Sequence, residues 1–384
     1  MTGLRANLFL VALALSLLGL VMVYSATYRE FGNHYLILRA GHVALGVVAF
    51  LAVSRVRYTT WRRYAPGLYV AVLLCLLLVL IPGIGTQVAG ARRWMDVGPL
   101  NFQPGEFAKL ATVLALSCAV SRLPPGSGLP LRPLAAVGLL FVLVLVEPDF
   151  GTSVVLLAGA AGVLWASELR TRDLLLSGVA AFVALVGVML LAPYRRERFM
   201  TFLDPWAAAD GSGYQVVQSM IAIRAGGFFG SGAGAGSSGA SVPELGTDMI
   251  FALVGEELGL LGMVAVICAF GFITLGGFRI SLRAPSVMGR CMAAGLTTML
   301  AAQAIFNMGA AMGVLPLSGM TLPFISYGGS SLLVCFAAVG ILCRISEDSE
   351  RARVARPPAR TTPAVPDRRR RYGRARDPRA LRGG

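Results

Sequence analysis

The sequence predicts an all-α, polytopic integral membrane protein with about ten transmembrane helices. Three observations carry this expectation. Of the 384 residues, 56% are hydrophobic and only 14% charged, against about a quarter charged in globular domains. The apolar residues gather into ten stretches, and about 20 apolar residues cross a hydrocarbon core roughly 30 Å thick. None of the stretches alternates with period two, as barrel strands do. Lipid offers no water to backbone polar groups, so these stretches must be helices. A soluble enzyme with a conventional core is excluded.

The first stretch, 8–26, is about 19 residues long. Tyr24 sits poorly before a cleavage after Ala26, so the segment reads as a membrane helix and not as a signal peptide. Stretches 35–53 and 67–82 follow. Those at 106–121 and 133–146 are short, which calls for tilt or polar ends. Next come 150–167 and 173–192. The run 249–278 exceeds one crossing, and 287–312 and 324–343 complete the set. The expected organisation is a membrane domain over 1–345 with loops 83–105 and 193–248 on one side. A tail over 346–384 is expected to be disordered. The tail supplies much of the net charge of +15; prolines interrupt its arginines, and such a composition cannot bury a core. The six cysteines form no CxxC or metal-ligand spacing and read as small buried hydrophobes.

Arginines fix the expected orientation. Arg5, Arg55, Arg57, Arg62, Arg63, Arg122, Arg132, Arg170, Arg172, Arg279, Arg283, Arg290 and Arg344 fall on one side if the helix count is even. The positive-inside rule then puts both termini in the cytoplasm. The exceptions lie outside: Arg92 and Arg93 in the first loop, and Arg195, Arg196, Arg198 and Arg224 in the second. A loop of about 56 residues is rarely structureless unless it is functional. Its basic cluster points to an anionic ligand in the outer leaflet.

Several segments stand out, each with a bland alternative. Trp94 suits a membrane interface. Glu106 and Lys109, the only lysine, are one helical turn apart; they are a simple pair or an ionisable site at a helix mouth. Glu147-Pro148-Asp149 reads as a tight turn. Residues 214–225 have helical spacing and could lie on the outer interface. The glycine-rich run 226–241 formally matches GxGxxG at 234–239 but lacks the strand and βαβ setting of a dinucleotide site; it is a flexible connector or a lid. Thr247 could cap the following helix, with Asp248 against its positive end. Asp248 would lie roughly 15 Å above the strongly apolar part of a continuous helix, and Glu256 and Glu257 would sit at the interface. Pro316, Pro323 and Gly328-Gly329 before Ser330 break the backbone at membrane depth, for packing or as a cavity wall. Gly255 and Gly259 have GxxxG spacing and read as packing contacts.

At these residues the chain resembles the SEDS family of cell-wall proteins, which includes FtsW, RodA and SpoVE. The resemblance spans about 8–345. Its pieces are Gly19 to Ala26, Arg93-Trp94, Gln103 to Lys109, Glu147 to Thr152, Gln218 to Gly230, Thr247-Asp248 before Ile250-Phe251-Ala252, Glu256 to Gly259, and Pro323 to Ser331. The wording is nearer FtsW and SpoVE than RodA. Leu245-Gly246 departs from the family's usual Ala-His before Thr-Asp.

The resemblance implies a peptidoglycan glycosyltransferase. Such an enzyme polymerises lipid II at the outer face of the cytoplasmic membrane and releases undecaprenyl diphosphate, in cell division or wall growth. It implies Asp248 as the catalytic aspartate. Arg93, Trp94, Glu106, Lys109, Asp149, Arg195, Arg196, Arg198, Arg224, Thr247, Glu256, Glu257 and Ser330 are substrate-binding candidates. It further implies a class B penicillin-binding protein as transpeptidase partner, with other divisome or elongasome proteins; no nucleic acid is expected. A divalent cation, Mg2+ or Mn2+, at the diphosphate is a further expectation without a ligand pattern behind it. Two other readings compete: a lipid II flippase, with Arg39 and His42 as its midplane residues, and a non-catalytic division scaffold.

Overall fold

The computed structural model describes residues 2–88, 91–97, 100–191, 193–236 and 245–355. Each of the ten apolar stretches coincides with a helix over most of its length. These are α1 (Thr2–Phe31), α2 (His34–Arg55), α3 (Trp61–Val79), α4 (Pro104–Val120), α5 (Leu131–Val146), α6 (Phe150–Trp165) and α7 (Thr171–Leu191). Two helices of the long loop follow, α8 (Pro193–Leu203) and α9 (Tyr214–Gly226). The last three are α10 (Ile250–Arg283), α11 (Val287–Ala311) and α12 (Gly329–Ala355). Among the described residues, seven helices are long and apolar enough to cross a membrane. The apolar helices α5 and α6 have only 16 residues each, roughly 24 Å. The chain is a multi-pass membrane protein.

Packing centres on α11, which lies against α10, α6 and α4, while α12 runs along α2. Small residues permit this. A side chain at Gly159 or Gly295 would collide with Val113, and one at Gly295 also with Val163, so α4, α6 and α11 meet at backbone distance. By contrast, α7 touches mainly α6 and α8. None of its most apolar stretch is buried inside the protein, so lipid or a partner's membrane helix has to cover it.

Four expectations need correction. Loop 83–105 is not a plain loop. It holds an antiparallel three-stranded sheet of β1 (Thr86–Val88), β2 (Ala91–Val97) and β3 (Leu100–Phe102). In it Thr86 pairs with Trp94 and Asp96 with Asn101. The tail boundary also moves: α12 continues to Ala355. Helical ion pairs of Arg344 with Asp348 (3.0 Å) and Arg351 with Glu347 (2.5 Å) support the extension, and Arg5 of α1 reaches Glu350 at 3.2 Å. The remainder of the tail, 356–384, lies outside the described residues.

The third correction concerns α10. It is not one continuous helix, and Gly259 is not only a packing residue. Gly259 adopts φ +65°, ψ −163°, a conformation open to glycine. Irregular backbone from the long loop fills the break. Leu260 N–H donates to Gly227 O and Ser231 N–H to Glu256 O, and Gly232 N–H donates to Glu257 O. Fourth, this loop buries Glu256 and Glu257 to 2% and 1% exposure, so neither carboxylate is open at the protein surface. Ser25 of α1 donates to Glu257.

Candidate active site

Broken backbone and helix starts converge on one cavity of about 630 Å³, between the sheet, α2, α6, the long loop and the segment joining α11 to α12. Its construction begins at α4. Pro104 occupies the first helical turn and Glu106 follows it, where proline's missing N–H costs nothing and a carboxylate meets the helix's positive end. Lys109 Nζ lies 2.8 Å from Glu106 Oε1 and donates to Gln303 Oε1 of α11 at 2.7 Å. Lys109 is buried to 1% exposure. Its charge is therefore spent on neutralising Glu106, whose side chain lines the cavity while Lys109 does not.

Gln103 ties three elements together just before α4. Its backbone N–H donates to Ser330 Oγ at 3.0 Å, and its side-chain amide donates to Asp149 Oδ2 at 3.0 Å. Asp149 caps α6: Oδ1 accepts from Thr152 N–H at 3.0 Å and Oδ2 from Thr152 Oγ1 at 2.8 Å. Asp149 and Ser330 are thus braces beside the cavity and not part of its lining. Glu147, in the same turn, is 1% exposed, and neither carboxylate oxygen has a hydrogen-bond partner among the described residues. Burial pushes its carboxyl up to about 9; the Asp149 charge adds to the rise and the Arg93 charge opposes it.

Two amides on α11, Gln303 and Asn307, share a face one turn apart and hold the broken segment 315–328. Gln303 Nε2 donates to Thr321 O at 3.0 Å. Asn307 Nδ2 donates to Asp248 O at 2.8 Å and to Met320 O at 2.6 Å. Ser326 Oγ donates to Thr247 O at 2.5 Å. The chain from Thr247 to Ile250 is therefore positioned by its own backbone carbonyls. The expected capping role does not hold. The helix starts at Ile250, and its N-cap is Met249 with no side-chain cap bond. Asp248 and Thr247 stand ahead of the helix and line the cavity. Arg39, buried and donating to Phe324 O (2.5 Å) and Ile325 O (3.1 Å), braces the same segment from α2, where Phe324 is left-handed at φ +66°.

Of the sequence candidates, Arg93, Trp94, Glu106, Arg198, Thr247 and Asp248 line the cavity. Arg196 and Arg224 are exposed and lie off it, as do Glu256 and Glu257, while the side chain of Arg195 lies outside the described residues. Asp96, Asn101, Gln103, Gln215 and His42 also line it. Residues 237–244 of the glycine-rich run lie outside the described residues. Sequence reasoning missed Gln303 and Asn307, although two amides four residues apart in an apolar helix are a readable signal. No three His, Cys, Asp or Glu side chains converge on a metal position among the described residues. The cavity thus joins a carboxylate, Asp248, with two guanidinium groups on a scaffold of fixed backbone.

A family of cell cycle proteins comprising FtsW, RodA and SpoVE matches residues 5–351. Stage V sporulation protein E of Bacillus subtilis is 36% identical over 353 residues, covering 89% of this chain and 96% of that protein. The probable peptidoglycan glycosyltransferase FtsW of Geobacter metallireducens is 38% identical over 352 residues, covering 88% and 93%. Among solved structures, a chain of a peptidoglycan synthase complex that coordinates polymerization and crosslinking aligns with a TM-score of 0.73 at 33% identity, covering 89% and 97%. The rod shape determining protein RodA of Thermus thermophilus aligns at 0.67 with 28% identity, covering 89% and 96%.

Proposed function

This chain belongs to the family of cell cycle proteins that comprises FtsW, RodA and SpoVE, and on that premise we propose that it is a peptidoglycan glycosyltransferase that polymerises lipid II. The relatives named for this activity and the complex that couples polymerization to crosslinking support it. The observation that carries the mechanism is that Asp248, Arg93 and Arg198 line one cavity. In this reading the acceptor sugar's hydroxyl attacks the donor's anomeric carbon. Asp248 takes the hydroxyl proton as the new C–O bond forms and the bond to the lipid diphosphate breaks. A positioned carboxylate in such a role contributes about 10²–10⁴-fold. Arg93 and Arg198 face the charge that grows on the departing diphosphate, where fixed cations stabilise the transition state. Trp94 and Gln215 supply an apolar face and an amide for the sugars. A divalent cation enters this reading only as a partner of the substrate's own diphosphate. The described residues offer no preformed cage for it, and no step runs through it.

The same reading puts the protein in the bacterial cytoplasmic membrane with ten spans, both termini cytoplasmic, and the cavity outward; the arginine asymmetry supports this. A cysteine at Ser212, in a cysteine-free background, should label with an impermeant thiol reagent on intact cells; labelling within 54–66 instead would invert it. A transpeptidase of the class B penicillin-binding type is the proposed partner, since no described segment of this chain could crosslink strands. Purified protein supplied with lipid II alone is the decisive assay. Glycan polymer supports the proposal, whereas translocated lipid without polymer, or neither product, rejects it.

A further inference from the structure

Beyond the cavity, a second recess lies at the other end of α12, about 15 residues along it from Gly329 to Arg344, or roughly 22 Å. Here α1, α2 and α12 leave a notch of about 530 Å³. Its floor is apolar: Ala6, with Phe9 and Phe50 stacked at 4.4 Å between ring centroids. Arg5, Arg55 and Arg344 form the rim, with Glu347 as the one acid among the lining residues.

The charges do not balance locally. Glu347 is shared by three guanidinium groups, from Arg5 (3.5 Å), Arg344 (3.6 Å) and Arg351 (2.5 Å). A guanidinium carries five N–H donors, so donors remain after Glu350 and Asp348 take their share. Arg55 is exposed and has no ion-pair partner among the described residues. The exposed apolar residues Leu10, Val48 and Leu51 lead away from the notch along α1 and α2 toward the lipid-facing surface.

We propose that this notch binds one anionic phospholipid. Its phosphodiester would sit against Arg55, Arg5 and Arg344, and the first carbons of an acyl chain would lie over Ala6, Phe9 and Phe50. A free inorganic anion would have no use for an aromatic floor. A zwitterionic headgroup would bring its ammonium toward Arg55. The chain's own residues beyond 355 are arginine-rich, as at Arg368 to Arg371, and carry the same sign as the rim. The orientation proposed above assigns the site to the cytoplasmic leaflet; binding itself is read without polymerisation, so the two readings fail separately.

The test is native mass spectrometry of the purified full-length protein in mild detergent, titrated with phosphatidylglycerol or with phosphatidylcholine of the same acyl chains. One saturable phosphatidylglycerol adduct is expected, with phosphatidylcholine binding several-fold weaker. Arg55→Gln should weaken the adduct about fivefold, the effect of one arginine near an anionic surface. Ala6→Trp, which fills the notch, should abolish it. Arg57→Gln, exposed and outside the notch, should leave it unchanged, and thermal unfolding of Arg55→Gln and Arg57→Gln should match wild type. Equal binding of the two lipids would overturn the proposal. So would an Arg57→Gln loss as large as that of Arg55→Gln, which would mean diffuse surface charge, or displacement of the lipid by equimolar inorganic phosphate.

Discussion

Asp149 and Asp248 both stand just ahead of a helix, α6 and α10, beside the same cavity. At Asp149 the carboxylate itself is the structural element. It accepts from Thr152 N–H, Thr152 Oγ1 and Gln103 Nε2, and it is 2% exposed. At Asp248 the backbone bears the load, with Asn307 holding its carbonyl and Ser326 holding that of Thr247, while the residue lines the cavity. The difference teaches how one residue type serves two ends. A carboxylate that caps is consumed by its own helix. One whose main chain is anchored by others need not cap the helix that follows it.

The largest expected effect tests this contrast at Asp248. Asp248→Asn keeps shape and polarity but removes the proton acceptor, so polymerisation by the purified protein should fall by about two orders of magnitude or more at unchanged thermal stability. A stable, fully active variant breaks the contrast. Asn307→Leu comes next. It strands the carbonyls of Asp248 and Met320, and misplacing a catalytic group by about 1 Å can cost on the order of 10²-fold. A loss of at least tenfold is expected, and the double variant Asp248→Asn/Asn307→Leu should lose little beyond Asp248→Asn alone. Fully additive losses would mean that Asn307 does not act through Asp248.

Asp149→Ala should behave in the opposite way. Loss of a cap costs about 1–2 kcal/mol, so the melting temperature should drop while activity per folded molecule persists. An activity collapse at matched folded fraction would move Asp149 into the reacting site. A test of pH dependence, read on stability and not on activity, belongs to Glu147. Its folded carboxyl titrates near 9 against an ordinary value of 4.5, so the folded protein keeps a proton that the unfolded chain has released. Stability is therefore lost as pH rises from about 4.5 and levels off above about 9. Glu147→Gln removes that dependence, and its melting temperature relative to wild type should be higher at pH 8 than at pH 5. An offset independent of pH would show that Glu147 is ionised in the fold.

The membrane helices are legible in the sequence because lipid imposes one requirement on every residue of a span, and twenty residues repeat the signal. The approach to Asp248 is legible through its resemblance to known relatives, not through local physics. What escapes has a common cause. Strands of three residues, such as Thr86–Val88 and Leu100–Phe102, are too short for alternation to register, although Gly90 and Gly98-Pro99 punctuate them. The break at Gly259 disappears into the apolar run around it, because hydropathy carries no information on φ. The burial of Glu256 and Glu257 escapes because the chain that covers them, from Gly227 onward, lies well over twenty residues earlier. Arg196 and Arg224 read as ligands from charge alone, and only the path of α8 and α9 separates them from Arg198.

The Lys109–Glu106–Gln303 cluster has a practical consequence. Lys109 is the single lysine of the chain, and its amine is 1% exposed. Acylating reagents such as succinimidyl esters therefore have one side-chain target, and the native fold withholds it. Mass-resolved acylation at that position becomes a clock for exposure of the wall between α4 and α11. If substrate passage requires α4 and α11 to part, turnover should quicken modification at Lys109, and an idle protein should stay unmarked until it unfolds.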